Sequence, residues 1–140
     1  VTMNADKNVT ATFNLTPVNL PDLVVTLVDG PSSARIGDSI FLTYSVMNQG
    51  SADSPSVMLR FYLSTDTSIK NGDVYLGYHF VTPLTPGASF TLTSWVGTIS
   101  HKTSIGNNYI GAIVDPLKRV TESNEGNNTG YDATPIVIAR

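Results

Sequence analysis

Apolar and polar residues alternate along most of this chain with a period of two. In residues 39–48, Ile40, Leu42, Tyr44 and Val46 fall on one side, and Phe41, Thr43, Ser45 and Met47 on the other. Val57, Leu59, Phe61 and Leu63 share a side in the next run, and Leu76, Tyr78 and Phe80 in the one after. Phe90, Leu92 and Val96 follow, then Ile110, Ala112 and Val114, and finally Ile136 with Ile138. Successive side chains of a strand point to opposite faces, so each run predicts a strand with one face on a core. Residues 23–28, rich in β-branched side chains, add the first strand. Turn signals stand between the runs at Gly30-Pro31, Gly50, Asn71-Gly72, Pro86-Gly87, Gly106-Asn107-Asn108 and Gly126.

Seven such strands with no helical period predict an all-β fold, a seven-stranded immunoglobulin-like (fibronectin type III-like) antiparallel β-sandwich. A closed barrel is the alternative. Trp95 and Tyr62 fall on the faces opposite their strands' apolar sets, which predicts two exposed rings. His79 is expected to face solvent by the same count, and His101 sits in a loop. Ahead of the sandwich, residues 1–3 and 9–13 read as a short hairpin around Asn4-Ala-Asp-Lys-Asn8. A lone hairpin has no second layer to bury its apolar face, so residues 1–20 are expected to be the remnant of a preceding repeat and a linker, and 21–140 the sandwich domain. The other reading makes this hairpin an extra strand of the sandwich.

The polar segment Val120-Thr-Glu-Ser-Asn-Glu-Gly-Asn-Asn-Thr129 is the most distinctive in the chain. Its amides and acids suit a tight loop, where side chains bond to the backbone. Together with Pro21-Asp22-Leu23, Val46-Met-Asn-Gln-Gly50, Phe61-Tyr-Leu-Ser64 and Leu84-Thr-Pro-Gly87, taken in order, it resembles the cell adhesion related domain found in bacteria, CARDB. The resemblance covers residues 21 to about 140. It implies an immunoglobulin-like sandwich repeated in large secreted or surface proteins of bacteria and archaea, and it implies architecture more than activity.

Composition narrows the function further. A net charge of −3, with eight Lys and Arg scattered singly, offers no basic stripe for phosphates, so no nucleic-acid partner is expected. No apolar run approaches the length of a membrane span, so no membrane insertion is expected. Cysteine is absent, which removes disulfides, thiolate metal sites and cysteine nucleophiles. Charged residues are only 14% of the chain while Ser, Thr and Asn abound, a balance that suits an extracellular, secreted or cell-surface location.

Candidate chemistry is sparse. No Gly-x-Ser-x-Gly elbow occurs, and neither histidine has a nominated acid partner. Asp115, Glu122 and Glu125 collect near one end, but glycoside cleavage needs a cleft that short loops seldom build, so the chain is read as no enzyme. Asp66, Asn71 and Asp73 are the calcium candidates in the 66–73 loop, although Lys70 takes a ligand position and no glutamate follows. An Asx-turn hairpin tip is preferred there, and otherwise no cofactor is expected. For Glu122, Asn124, Glu125, Asn127 and Asn128 the preferred role is structural, and the alternative is a calcium or ligand site at one pole of the domain. An unpaired buried amide costs about 1–3 kcal/mol, reason enough to keep acceptors in that loop.

These readings converge on a non-catalytic adhesion or spacer module, monomeric in isolation. Its partners would be neighbouring domains of the same chain, or a surface protein or polysaccharide. The alternatives are a carbohydrate-binding accessory domain of an extracellular enzyme, using Trp95 and Tyr62, and a calcium-stabilised adhesion domain.

Overall fold

A computed structural model describes residues 18–140, so the hairpin expected in residues 1–16 lies outside the described residues. The strands are β1 (Leu23–Asp29), β2 (Ser33–Arg35), β3 (Ser39–Asn48), β4 (Val57–Ser64), β5 (Val74–Val81), β6 (Ser89–Thr98), β7 (Gly106–Val114), β8 (Thr129–Tyr131) and β9 (Ile136–Ala139). One sheet has three strands in the order β1-β3-β6; the other has six, running β2-β9-β7-β4-β5 with β8 on β7. Pairing is antiparallel except where β2 lies parallel to β9. This is the expected immunoglobulin-like sandwich. The two strands beyond the expected seven, β2 and β8, are three residues each. They are too short to show a period.

The core forms where the period-two count is unbroken. Ile40, Leu42, Tyr44 and Val46 of β3 face Val57, Leu59, Phe61 and Leu63 of β4, and Ile110, Ala112 and Val114 of β7 complete the layer with Ile136 and Ile138 of β9; all are buried. Burying each larger side chain stabilises the fold by roughly 1.5–3 kcal/mol. The Tyr44 and Phe61 rings meet edge-on across the sheets with centroids 5.1 Å apart.

Two bulges correct the expected faces of β5 and β6. Phe61 pairs with Gly77 and Tyr62 with Tyr75, leaving Leu76 as an extra residue. Beyond this point the phase reverses. Leu76 packs on the core as expected, but Tyr78 (54% exposed) and Phe80 point outward, and Val81 points in. Gly77 has φ +150°, and a Cβ there would come within 2.8 Å of the Trp95 ring, so backbone conformation and space both require glycine. In β6, Leu42 pairs with Trp95 and Tyr44 with Leu92, so Thr93 and Ser94 both oppose Thr43. Ser94 carries the strain at φ +69°. As a result Trp95 turns to the core, its ring 4.1 Å from that of Phe61, and Val96 turns out.

His79, inside this reversed phase, is half-buried rather than facing solvent. Its Nδ1 lies 2.5 Å from the Tyr44 hydroxyl, whose pKa burial pushes well above the ordinary tyrosine value. Among the described residues no helix is long and apolar enough to cross a membrane.

Candidate functional site

Polar side chains concentrate at the pole where β1 begins and β3 and β7 end. Asn48, fully buried at the end of β3, uses its whole amide. Its Nδ2 donates to the Ala52 and Leu84 carbonyls (2.8 and 2.9 Å), and its Oδ1 accepts from the Asp22 and Gly50 N–H groups (3.1 and 3.0 Å). Gln49 donates its N–H to the Asp22 carbonyl at 2.8 Å and its Nε2 to Asp22 Oδ2 at 2.9 Å, while Ser51 donates to the Leu20 carbonyl at 2.9 Å. Gly50 is required by this approach, because a Cβ would press on the Leu20 carbonyl and the Asp22 nitrogen. The turn after β3 thus grips the incoming segment, residues 20–23, from one side.

The 115–128 loop grips it from the other. Asp115, just past β7, takes φ +47°, and its two carboxylate oxygens accept from the N–H groups of Arg119 and Val120 at 3.0 and 2.9 Å. Glu122 is buried; Oε2 accepts from the Leu23 N–H at 2.6 Å, and Oε1 from Asn128 Nδ2 at 2.6 Å. Glu125 Oε1 accepts from the Glu122 N–H at 2.9 Å, and Asn124 Oδ1 from the Gly126 N–H at 2.9 Å. Asn127 Nδ2 donates to Asp22 Oδ1 at 2.8 Å, and the Ser123 N–H donates to the Pro21 carbonyl at 3.0 Å.

These bonds bring three carboxylates together. Ligand oxygens of Asp115, Glu122 and Glu125 lie within 4.8 Å of one another, the one such grouping of acid or imidazole side chains among the described residues. Burial raises the Glu122 pKa above the ordinary glutamate value; the Leu23 N–H and the Asn128 amide pull it back, and the charges of Glu125 and Asp115 push it further up. Among the described residues one ammonium attends the group, that of Lys118, with Nζ 3.6 Å from Glu125 Oε2. Asn128 is buried, its Nδ2 shared between Glu122 and the Val114 carbonyl, yet its Oδ1 has no partner among the described residues. Asp115, Glu125, Lys118 and Asn128 line a surface cavity of about 310 Å³ that also takes in Lys70 and Asn71.

The other expected site residues lie elsewhere. In the 66–73 loop, Asp66 Oδ1 accepts from the Ser68 N–H at 2.8 Å and Asp73 Oδ2 from the Lys70 N–H at 2.7 Å, each within its own turn. Asn71 departs from them: its Oδ1 accepts from the Tyr62 hydroxyl at 2.9 Å, and it borders the acidic cavity. Tyr62 and Trp95 do not form an exposed pair. Tyr62 is only 2% exposed, closed in by Tyr75 and Asn71, and Trp95 packs against Phe61. The exposed rings of β5 are Tyr75, Tyr78 and Phe80. Sequence reasoning did not place Asp22, Asn48 and Gln49 in a site, although the segments 21–23 and 46–50 carry polar residues at strand ends, where they meet the 122–128 loop.

Residues 20–131 match the CARDB family, four-fifths of the chain. The chain belongs to the CARDB family. CARDB is a non-catalytic domain family associated with cell-adhesion-related surface proteins of bacteria and archaea. A CARDB domain from Pyrococcus furiosus, whose crystal structure is in complex with di-metal ions, is 25% identical with a TM-score of 0.62, over 86% of this chain and 90% of that one. A domain spanning residues 272–376 of a Methanosarcina acetivorans protein is 21% identical with a TM-score of 0.60, over 86% and 94% of the two chains. A β-glucosidase of Erythrobacter marinus shares the fold alone, at 15% identity and a TM-score of 0.51, with only 16% of that chain covered. No curated protein matches the chain.

Proposed function

We propose that this CARDB domain is a non-catalytic adhesion or spacer module of a large secreted or cell-surface microbial protein. Residues 1–20 would be the end of a preceding unit and its linker, and 21–140 the load-bearing sandwich. The observation that carries this is the double grip on residues 20–23, from the turn after β3 and from the 115–128 loop. A spacer must hold its neighbours at a set separation, and a segment tied on both sides moves with the sandwich instead of hinging on it. Neighbouring domains of the same chain are the partners this arrangement serves. Pulling tandem copies of the domain in a single-molecule force experiment tests it. One discrete rupture per copy is expected; copies that lengthen without a force peak would rule out a load-bearing role.

A second reading is favoured by the acidic pole. The donor set fits a hard divalent cation: Asp115, Glu122 and Glu125 supply carboxylate oxygens, and the unpaired Asn128 Oδ1 supplies a neutral one. These residues would hold the ion, which would offset most of the charge of a repelling trio. That favours calcium at the 122–128 loop, the alternative weighed for it, over the Asp66, Asn71 and Asp73 loop, and the metal-bearing Pyrococcus relative lends it support. Calorimetric titration with calcium chloride should release or absorb heat, and saturation at 100 times Kd should raise the melting temperature by about 5–15 °C. Neither heat nor a shift at millimolar calcium would end this reading and leave the spacer role standing.

A further inference from the structure

We propose that the acidic pole is a cation-dependent clamp on the incoming segment: a divalent ion held by Asp115, Glu122 and Glu125 tightens the hold of the 122–127 loop on residues 21–23, and so stiffens the junction with the chain before the sandwich. The proposal rests on the cation reading above and adds where the binding is felt.

The geometry makes the same residues serve both tasks. Glu122 Oε2 holds the Leu23 N–H at 2.6 Å while Glu122 belongs to the carboxylate cluster. Glu125, also of the cluster, orients Glu122 by accepting its N–H at 2.9 Å. The neighbouring Ser123 N–H reaches the Pro21 carbonyl at 3.0 Å, and Asn127 reaches Asp22 at 2.8 Å. Three carboxylates within 4.8 Å repel one another, and a motion that separated Glu122 from Glu125 would relieve that repulsion. That motion would also loosen the bonds to residues 21–23. A divalent ion reverses the sign of the local interaction, and the loop stays closed for as long as the ion stays bound. The second grip, through Gln49 and Ser51, contains no member of the cluster, so it continues to hold the segment whether or not the ion is bound. It supplies an internal control.

Amide hydrogen exchange on the 140-residue chain, in EDTA and in calcium chloride with calorimetry alongside, tests the clamp. If local opening releases the ion, the Leu23 and Ser123 amides should exchange about tenfold more slowly at ten times Kd, with the locally exchanging Gln49 and Ser51 amides of the second grip unchanged and core amides of β4 slowed only through global stability. In Glu125→Gln, which keeps an acceptor for the Glu122 N–H but drops a charge, the slowing should shrink to less than about twofold. Binding heat with unchanged exchange at Leu23 and Ser123 would overturn the clamp and leave the cation site. Slowing confined to amides that exchange only through global unfolding, or slowing of Gln49 and Ser51 to the same extent as Leu23 and Ser123, would also overturn it, as global stabilisation only. Absence of binding heat would overturn both.

Discussion

Two loops of this domain have nearly the same chemistry and opposite reach. The 66–73 loop and the 122–128 loop are both short, glycine-containing and rich in acids and amides. In the first, Asp66 bonds two residues away and Asp73 three residues away, so each closes its own turn. In the second, Glu122 bonds across 99 residues to Leu23 and Asn127 across 105 to Asp22. The difference lies in what each loop faces. The 66–73 loop folds over the outer face of β4 and β7, where Ile69 covers Gly111 while Asp66 stays exposed and Asp73 half-buried. The 122–128 loop lies against the start of β1, where backbone N–H groups are buried and need acceptors. Burial of the partner turns a turn-forming acid into a long-range tie.

This contrast can be broken by mutation. The largest effect is expected for Glu122→Ala, which leaves the buried Leu23 N–H without an acceptor and takes from Asn128 Nδ2 the shorter of its two bonds, leaving only the Val114 carbonyl. A loss of about 2–5 kcal/mol is expected in chemical denaturation. A loss below about 0.5 kcal/mol would place Glu122 with the surface residues.

The next effect is in pH. Because the Glu122 pKa is raised in the fold, its contribution to stability is greatest below the ordinary glutamate value and is lost as pH rises through the raised one. In EDTA, Glu122→Gln minus wild type should therefore shift in favour of the variant between mildly acid and neutral pH. The slope of that difference isolates the ionisation, and a flat or opposite slope would refute it. Lys118→Met removes the ammonium beside Glu125, and because Lys118 is mostly exposed the gain in calcium affinity should be only about threefold. An unchanged or weaker affinity would show that this amine does not compete with the ion. The smallest effect belongs to Asp66→Ala, which costs one exposed turn bond and should change stability by less than about 1 kcal/mol, with no change in calcium response.

The β3 and β4 faces were legible from alternation because their own residues are evenly spaced, and the 122–128 loop stood out by its amides and acids. The outward turn of Tyr78, Phe80 and Val96 was not, since counting by two across an extra residue reverses every position beyond it. Gly77 marked one of these bulges, but Ser94 carries no such mark, being a non-glycine residue held at positive φ. The burial of Tyr62 was hidden for a different reason: its strand position faces outward, and only the packing of Tyr75 and the 66–73 loop covers it.

By itself, then, the order of apolar and polar residues determined a two-layer β fold, its main strands and the loops that join them, because alternation and turn chemistry act between near neighbours. Tertiary structure alone decided that Asp22, Asn48, Glu122 and Asn127 meet at one pole, and that three carboxylates there share a space 4.8 Å across. Bonds spanning about a hundred residues depend on which strand ends the sheets place side by side, and no local pattern records that.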